Sequence, residues 1–441
     1  MQYFRYRFLN LRDQASQGLI QIGRGLRSRN YRLFFFGQSV SLIGIWMQRV
    51  ALSWLVYRLT DSPVALGLVD FIGQIPVFAL SLLTGLWIDH VNLRTLLLVT
   101  QALALLQAIL LAALTLTGSI LYWHIIVLSA FLGVINAFDM PGRQAFVIHL
   151  VERRQDLGNA IALNSSLFNI ARLVGPSVAG MVIAMVGEGI CFLLNGASFL
   201  TTLLALKAIK LTKKEKERLP KAGLSGVVEG LVYAFGHRPI KAILLLLSLL
   251  SFTGLPYLAL MPVFAKDILK GGPQTLGLLL AASGLGALVA GAILAARDNP
   301  IGLGKTISTA AIIFGVGLSA FAVSPVAAVS TPLMVIIGFG FVLAVSSCNT
   351  LLQTLVEDSK RGRVMSLYVM SLVGIGPIGS LAAGYLARLF GAQATLFCGG
   401  LACLFGGILF ARRLPFLRSE ARKMPAYMAI LAEEEAKSAK P

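Results

Sequence analysis

Charged residues are scarce in this chain. Asp, Glu, Lys and Arg together make up 13% of its 441 residues, whereas hydrophobic residues make up 57% and the mean hydropathy is +0.81. A typical soluble domain contains about 25% charged residues. The composition therefore excludes an ordinary water-soluble domain and indicates a protein that lies within a lipid bilayer.

Groups that hold metals or carry out catalysis are scarce as well. The chain has four His residues and four Cys residues, Cys191, Cys348, Cys398 and Cys403, which all fall in apolar segments without a CxxC pair. This pattern argues against a metal site or a structural disulfide. The sequence contains no Gly-x-x-x-x-Gly-Lys-Ser/Thr motif, and its apolar segments hold no Ser/His/Asp, paired-carboxylate or His-rich group. We therefore expect no metal, no cofactor and no enzymatic activity.

Acidic residues are outnumbered by basic ones, 19 against 38, which gives a net charge of +19. Such a charge is also typical of nucleic-acid-binding proteins, but the Lys and Arg residues lie here in short loops between apolar runs. We therefore expect no nucleic-acid partner. The basic N-terminal segment lacks the short apolar core and cleavage site of a signal peptide, so we expect no cleaved signal.

Long apolar segments dominate what is present. A spanning helix needs roughly 20 apolar residues, and the chain contains twelve such segments. They are predicted at residues 33–57, 64–88, 95–117, 121–141, 158–186, 189–209, 240–264, 275–296, 303–323, 327–352, 364–387 and 391–411. Most Lys and Arg residues then fall on one side, which by the positive-inside rule is the cytoplasm. We predict a multi-pass membrane protein with both termini cytoplasmic.

The chain also contains an internal repeat. Residues 150–152 (LVE) recur at 355–357, and Leu163, Gly175 and Gly180 recur at a constant spacing as Leu367, Gly379 and Gly384. In so apolar a chain this predicts two related bundles with a binding site where they meet. The predicted regions are a basic cytoplasmic N-terminal segment (1–32), a six-helix bundle (33–209), a cytoplasmic linker (210–239), a second six-helix bundle (240–413) and a cytoplasmic tail (414–441).

The connection between the second and third segments carries a recognisable motif. It reads GLWIDHVNLR over residues 85–94. A Gly that allows close helix approach, an Asp at a helix end and a basic residue after a tight turn can form a cytoplasmic latch. The segment resembles the signature loop of the major facilitator superfamily, with Gly85, Asp89 and Arg94 at matching positions and His90 and Leu93 departing from it.

A second resemblance is more specific. Residues 138–146 (FDMPGRQAF), continuing to Pro176, and residues 361–368 (RGRVMSLY) are similar to the branch of this superfamily that includes the bacterial enterobactin exporter and macrolide and multidrug efflux proteins. The similarity implies an all-α fold of twelve transmembrane helices in two pseudo-symmetric bundles. It also implies that Asp139 pairs with Arg94 and completes an ion-pair network with Asp89. We group Gly85, Asp89, Arg94, Asp139 and Arg143 as the predicted latch.

Charged side chains inside spans are costly in a membrane and therefore suggest function. Arg49, Asp70 and Arg172 lie within the first, second and fifth spans, which contribute to the central cavity according to the family resemblance. Neighbouring polar residues on the same helices, and others on spans ten and eleven, complete a predicted substrate cavity. Its members are Gln48, Arg49, Gln74, Asn169, Arg172, Asn349, Gln353 and Tyr368.

These intramembrane charges suggest two roles. Asp70 is the only carboxylate well inside a predicted span, so it is our candidate for proton coupling; alternatively it pairs with Arg49 or Arg58. The two arginines favour an anionic or zwitterionic substrate, because Arg binds carboxylate and phosphate through paired hydrogen bonds. Hydrogen bonding to helix carbonyls is the alternative for Arg172.

The resemblance implies a secondary active transporter of the bacterial inner membrane. We expect a monomer that exports an amphiphilic small molecule, drug-like or siderophore-like, in exchange for protons by alternating access. Its partners are then the substrate, protons and membrane lipids. A lipid or lysophospholipid flippase is the alternative within transport, and a membrane sensor or scaffold that moves no solute is the alternative of another class.

Overall fold

A computed structural model of the chain describes residues 24–88, 90–151, 153, 156–210, 224–297, 299, 301–425, 427 and 428. Asp89 of the predicted latch lies outside the described residues. So do residues 1–23 of the predicted N-terminal segment, 211–223 of the predicted linker, and 426 and 429–441 of the predicted tail. The described part is almost entirely helical and contains twelve helices long and apolar enough to cross a membrane.

We number the spanning helices in chain order. The first bundle comprises α1 (Arg29–Thr60), α2 (Pro63–Ile88), α3 (Leu93–Leu116), α4 (Tyr122–Leu150), α5 (Leu157–Val186) and α6 (Glu188–Ala208). The second comprises α7 (Arg238–Ile268), α8 (Pro273–Ala295), α9 (Leu303–Val323), α10 (Ala327–Leu355), α11 (Lys360–Phe390) and α12 (Ala392–Ala421). A shorter linker helix, Leu224–Gly236, precedes α7 and lies against α11, where Glu229 pairs with Arg363.

The internal repeat appears as repeated geometry. Helix α4 ends at Leu150, after which Val151 is extended (φ −91°, ψ 123°). Helix α10 ends at Leu355, after which Val356 is extended with nearly the same angles (φ −99°, ψ 132°). The repeated sequence therefore ends the fourth helix of each bundle in the same way.

The repeated glycines also make equivalent contacts. A Cβ atom at Gly180 on α5 would lie 2.8 Å from the carbonyl oxygen of Pro273, the first residue of α8. At Gly384 on α11, it would lie 2.7 Å from the carbonyl oxygen of Pro63, the first residue of α2. Each bundle thus packs its fifth helix closely against the second helix of the other bundle, and only glycine allows this approach.

Two helices of the second bundle are irregular. Helix α7 contains π-helical turns at Leu250–Gly254 and Phe264–Ile268, and α11 contains one at Met370–Gly374. Pro256 and Pro377 follow the first and third of these turns closely. Proline lacks the N–H that continues the hydrogen-bond ladder, and π-helical turns often occur at functional sites.

The bundles are joined at one face of the membrane. We call the face where α1 begins and α12 ends the terminal face, and the opposite one the far face. At the far face Lys266 Nζ lies 2.5 Å from Asp61 Oδ1, and the Tyr57 hydroxyl donates a hydrogen bond to Asp267. Together with the glycine contacts at Pro63 and Pro273, these interactions close the far face.

Candidate functional site

A cavity of about 400 Å³ lies between the two bundles. Its first-bundle wall carries side chains from all six helices, including two Asp and three Arg residues. Its second-bundle wall is formed by α7, α8 and α11 and is mainly apolar, with Leu255, Leu258, Leu280 and Leu372 among its residues. The cavity is therefore polar and charged on its first-bundle side and apolar on its second-bundle side.

Two arginines share one tryptophan in this cavity. The guanidinium carbons of Arg49 and Arg172 lie 5.2 and 5.9 Å from the centre of the Trp46 ring, within the range of cation–π attraction. Helix α5 can bring Arg172 so close because Gly175, one turn further on, packs directly on the Cβ of Trp46. The sequence analysis missed Trp46, since nothing in an apolar segment distinguishes a cavity tryptophan from a core one.

The side chains of both arginines line the cavity. Arg49 lies near the middle of α1, yet it is exposed, and the space it faces is the cavity. It is within Coulombic range of both Asp70 and Arg172. Among the described residues, neither Arg49 nor Arg172 has a hydrogen-bond acceptor. Hydrogen bonding of Arg172 to helix carbonyls, one of the two expectations, is therefore absent in the described part of the chain.

Asp70 faces the same cavity from α2. Its Oδ1 accepts a hydrogen bond of 2.7 Å from Gln74 Nε2, one helical turn away. Arg58, one expected partner, instead lies 2.8 Å from Glu188 at the far face. In the described structure Asp70 forms no ion pair within 4 Å, so its carboxylate is held by a single amide and stays open to the cavity.

Gln48 lines the cavity but is also part of a buried chain of amides. Its Nε2 donates to Gln107 Oε1 at 3.0 Å, and its Oε1 accepts from Asn195 Nδ2 at 2.7 Å. Only 3% of Gln48 is exposed. The chain joins α1, α3 and α6, so its first role is to hold these helices together. The sequence analysis missed Gln107 and Asn195, although amides are unusual in such apolar segments.

Asp139 forms a buried cluster at the end of the cavity nearer the terminal face. Its carboxylate accepts hydrogen bonds from Thr100 Oγ1 at 2.7 Å and Gln101 Nε2 at 2.8 Å, and it pairs with Arg143 Nε at 2.5 Å. Only 4% of Asp139 is exposed. These contacts fasten α3 to α4 within the first bundle.

The expected pair between Arg94 and Asp139 is not formed. Arg94 instead donates from Nε and Nη2 to the carbonyl oxygens of Leu206 and Lys207, both at 2.8 Å. The last carbonyls of α6 are unsatisfied and carry the negative end of the helix dipole, so they attract the guanidinium. Asp139 is already neutralised by Arg143 one turn away. The backbone of Gly85 lies in the last turn of α2.

Four predicted cavity residues are not among those that line this cavity. Asn169 donates to the carbonyl of Ser165 at 3.0 Å and faces Gly291 of α8. Gln353 and Asn349 bond to each other at 2.7 Å on α10, and the Tyr368 hydroxyl donates to a carbonyl of the same helix at 3.3 Å. Each of the four has a hydrogen-bond partner within a helix or a bundle, and their part in the substrate path stays a prediction.

Comparison with known proteins agrees with this architecture. Residues 24–437 match the model of a family described as transmembrane secretion effectors of the major facilitator superfamily (MFS). The staphyloferrin A transporter of Staphylococcus aureus is 26% identical over 375 residues, which cover 84% of this chain and 93% of that protein. The multidrug efflux pump Tap of Mycolicibacterium fortuitum is 27% identical over 397 residues, which cover 88% and 96%.

A solved structure has the same fold. A bacterial homologue of the iron transporter ferroportin, in an inward-facing state, superposes with a TM-score of 0.67 at 18% identity, covering 87% of this chain and 98% of that one. The relatives are transporters and efflux pumps rather than enzymes. The chain therefore belongs to the transmembrane secretion effector family and is a multi-pass membrane transporter with the twelve-helix fold of the major facilitator superfamily.

Proposed function

We propose that this protein exports an amphiphilic small molecule across the bacterial inner membrane in exchange for protons. The observation that carries the proposal is the cavity between the bundles, which combines a charged wall with an apolar one. Such a site accepts molecules that have both a polar and an apolar part. Relatives that transport a siderophore or expel drugs support a cargo of this kind.

Alternating access is the mechanism that we propose. The far-face closure depends on glycine packing, the Lys266–Asp61 ion pair and the Tyr57–Asp267 hydrogen bond. An exposed ion pair contributes about 1 kcal/mol or less, so a rocking motion of the bundles can break it. With the terminal face in the cytoplasm, as the basic residues predict, the cargo enters from the cytoplasm and leaves when the far face opens.

Asp70 is the proposed proton carrier. It lies in the membrane, is open to the cavity and is within Coulombic range of Arg49. Proton binding would remove the charge that attracts Arg49 and would change how strongly the cavity holds a charged cargo.

The test is transport into inverted membrane vesicles with a mixed pool of drugs, siderophores and lysolipids, with and without an acidic lumen. We expect accumulation of one class that collapses when a protonophore removes the gradient. Asp70→Asn should abolish gradient-driven accumulation but allow exchange of preloaded cargo, whereas Asp156→Asn at the start of α5 should behave as the unaltered protein.

Other outcomes would contradict the proposal. Full gradient-driven accumulation by Asp70→Asn would remove this residue from coupling. Lipid movement that ignores the gradient would favour a flippase. No movement of any compound, and no stabilisation of the protein by any of them, would favour a membrane sensor or scaffold.

A further inference from the structure

The two walls of the cavity come from equivalent positions of the repeat. Pro63 and Pro273 begin α2 and α8, and counting from them places Leu280 at the position of Asp70. The constant spacing of the repeated glycines places Gly376 at the position of Arg172. Leu280 and Gly376 both line the cavity.

Arg49, the third charged residue, also has an uncharged counterpart in the repeat. Gly175 packs against the Ile43 carbonyl of α1, and its repeat partner Gly379 packs against the Phe252 carbonyl of α7. Counting from these contacts places Leu258 at the position of Arg49, and Leu258 also lines the cavity. Each of these three charged residues in the first bundle therefore has an uncharged counterpart in the second bundle, and both members of each pair line the cavity.

The charges of this wall are unequal. Arg143 and Asp139 neutralise each other, which leaves Arg49 and Arg172 against the single carboxylate of Asp70. Within the described residues the two guanidinium groups have no acceptor, so they present hydrogen-bond donors in the planar arrangement that suits a carboxylate. The excess of one positive charge fits a monoanion while Asp70 is ionised, and Asp70 then repels a second anionic group. Protonated Asp70 would hold the monoanion more tightly, so exchange requires that the bundles do not rock while the proton and the cargo are both bound.

We infer that the cargo is an amphiphile with one carboxylate. Its carboxylate lies between Arg49 and Arg172 beside Trp46, and its apolar part lies on the leucine wall formed by α7, α8 and α11. This inference rests on the proposed export function, because it names the chemical class of the cargo for the same cavity. The broken symmetry of the repeat orients the molecule, since only one wall offers it a charge.

Binding to the purified full-length protein in lipid nanodiscs tests the inference. The probes are a dansyl-labelled undecanoic acid, its methyl ester and the matching undecylamine, followed by fluorescence anisotropy. We expect the acid to bind at least about tenfold more tightly than the ester or the amine, because a hydrogen bond to a charged group contributes about 1.5–3 kcal/mol and 1.4 kcal/mol is a factor of ten.

Variants of the two arginines test whether they bind the carboxylate of the probe. Arg49→Gln and Arg172→Gln should each weaken binding of the acid by about tenfold while changing the ester less than about twofold. Arg49→Lys keeps the positive charge but loses the paired donors of the guanidinium group, so it should weaken binding of the acid less than Arg49→Gln. Arg388→Gln, an exposed position on α11 outside the cavity lining, is the matched control. An unchanged melting temperature would show that each variant is folded.

Several results would overturn the inference. Equal binding of acid, ester and amine, or tighter binding of the amine, would do so, as would acid binding that survives both Gln substitutions. If lysophosphatidylglycerol displaces the labelled acid at a lower concentration than unlabelled undecanoic acid does, the preferred ligand is a lipid phosphate and not a carboxylate. Arginine-dependent binding without transport in vesicles would reject the export function alone, and transport with charge-independent binding would reject this inference alone.

Discussion

Asp139 illustrates how one buried carboxylate supports several neighbours. It accepts hydrogen bonds from Thr100 and Gln101 and pairs with Arg143. Asp139→Ala would remove the partner of the Arg143 charge and of the buried Gln101 amide, whereas Thr100 would keep its hydrogen bond to the Leu97 carbonyl. Breaking a buried ion pair costs about 3–5 kcal/mol, so we expect a clearly lower melting temperature in detergent. An unchanged melting temperature would mean that water replaces the carboxylate.

The control for this prediction is Asp156→Ala. Asp156 precedes α5, and its side chain makes no capping hydrogen bond. We expect a change in melting temperature of about 1 °C or less, because substitutions away from a buried network usually cost less than about 0.5 kcal/mol.

Single residues also show which parts of the site a sequence can predict. Arg49, Asp70 and Arg172 were selected because a charge inside a membrane is too costly to keep without a polar environment, and the structure places all three on the cavity lining. The uncharged amides of Asn349 and Gln353 cost less free energy in a membrane than a charge does. Their spacing of four residues lets them form a hydrogen bond with each other on one helix. The presence of an amide residue in a span therefore does not predict that its side chain faces the cavity.

At the scale of helices, the contact between α2 and α11 controls the far face. A Cβ atom at Gly384 would meet the Pro63 carbonyl at 2.7 Å, so Gly384→Val should force the two helices apart. We expect several-fold faster labelling of a Val69→Cys thiol in the cavity by a membrane-impermeant reagent added to the far face. The exposed Cys398 is first replaced by Ser.

Gly158→Val serves as the control, because nothing lies within 4 Å of a Cβ atom at that position of α5. It should leave the labelling rate unchanged. Equal labelling rates for Gly384→Val and the unaltered protein would mean that the far face does not depend on this glycine contact.

The helices themselves were largely predictable. Ten of the twelve apolar segments differ from the helices by only a few residues at most ends, because burial in lipid requires a long apolar run. Helices α4 and α12 instead continue to Leu150 and Ala421, about ten residues beyond the predicted ends. Hydropathy marks the thickness of the bilayer, whereas a helix can extend past it into water.

At the scale of the whole molecule, the far-face closure should be a state that transport must leave. In a Cys398→Ser background, Asp61→Cys and Lys266→Cys place two thiols across the closure seen between Asp61 and Lys266. A short bifunctional methanethiosulfonate reagent should link them and stop transport, and a reducing agent should restore it. Each single Cys variant, treated in the same way, should remain active.

Full transport by the linked protein would show that the bundles do not separate at this face. The sequence could predict the two bundles from the repeat, but it could not predict which face is closed. Both states of a transporter use the same helices and differ by only a few kcal/mol, so no single residue type marks the choice.

The reciprocal glycine contacts have a consequence for the origin of the chain. The fifth helix of each half meets the second helix of the other half, so the interface is self-complementary in the way that a two-fold symmetric homodimer interface is. A single six-helix ancestor could have paired with a copy of itself through these same surfaces. Fusion of two such copies would free each half to change alone, which a homodimer cannot do. Arg172 and Gly376 are one pair of equivalent positions at which the two halves now differ.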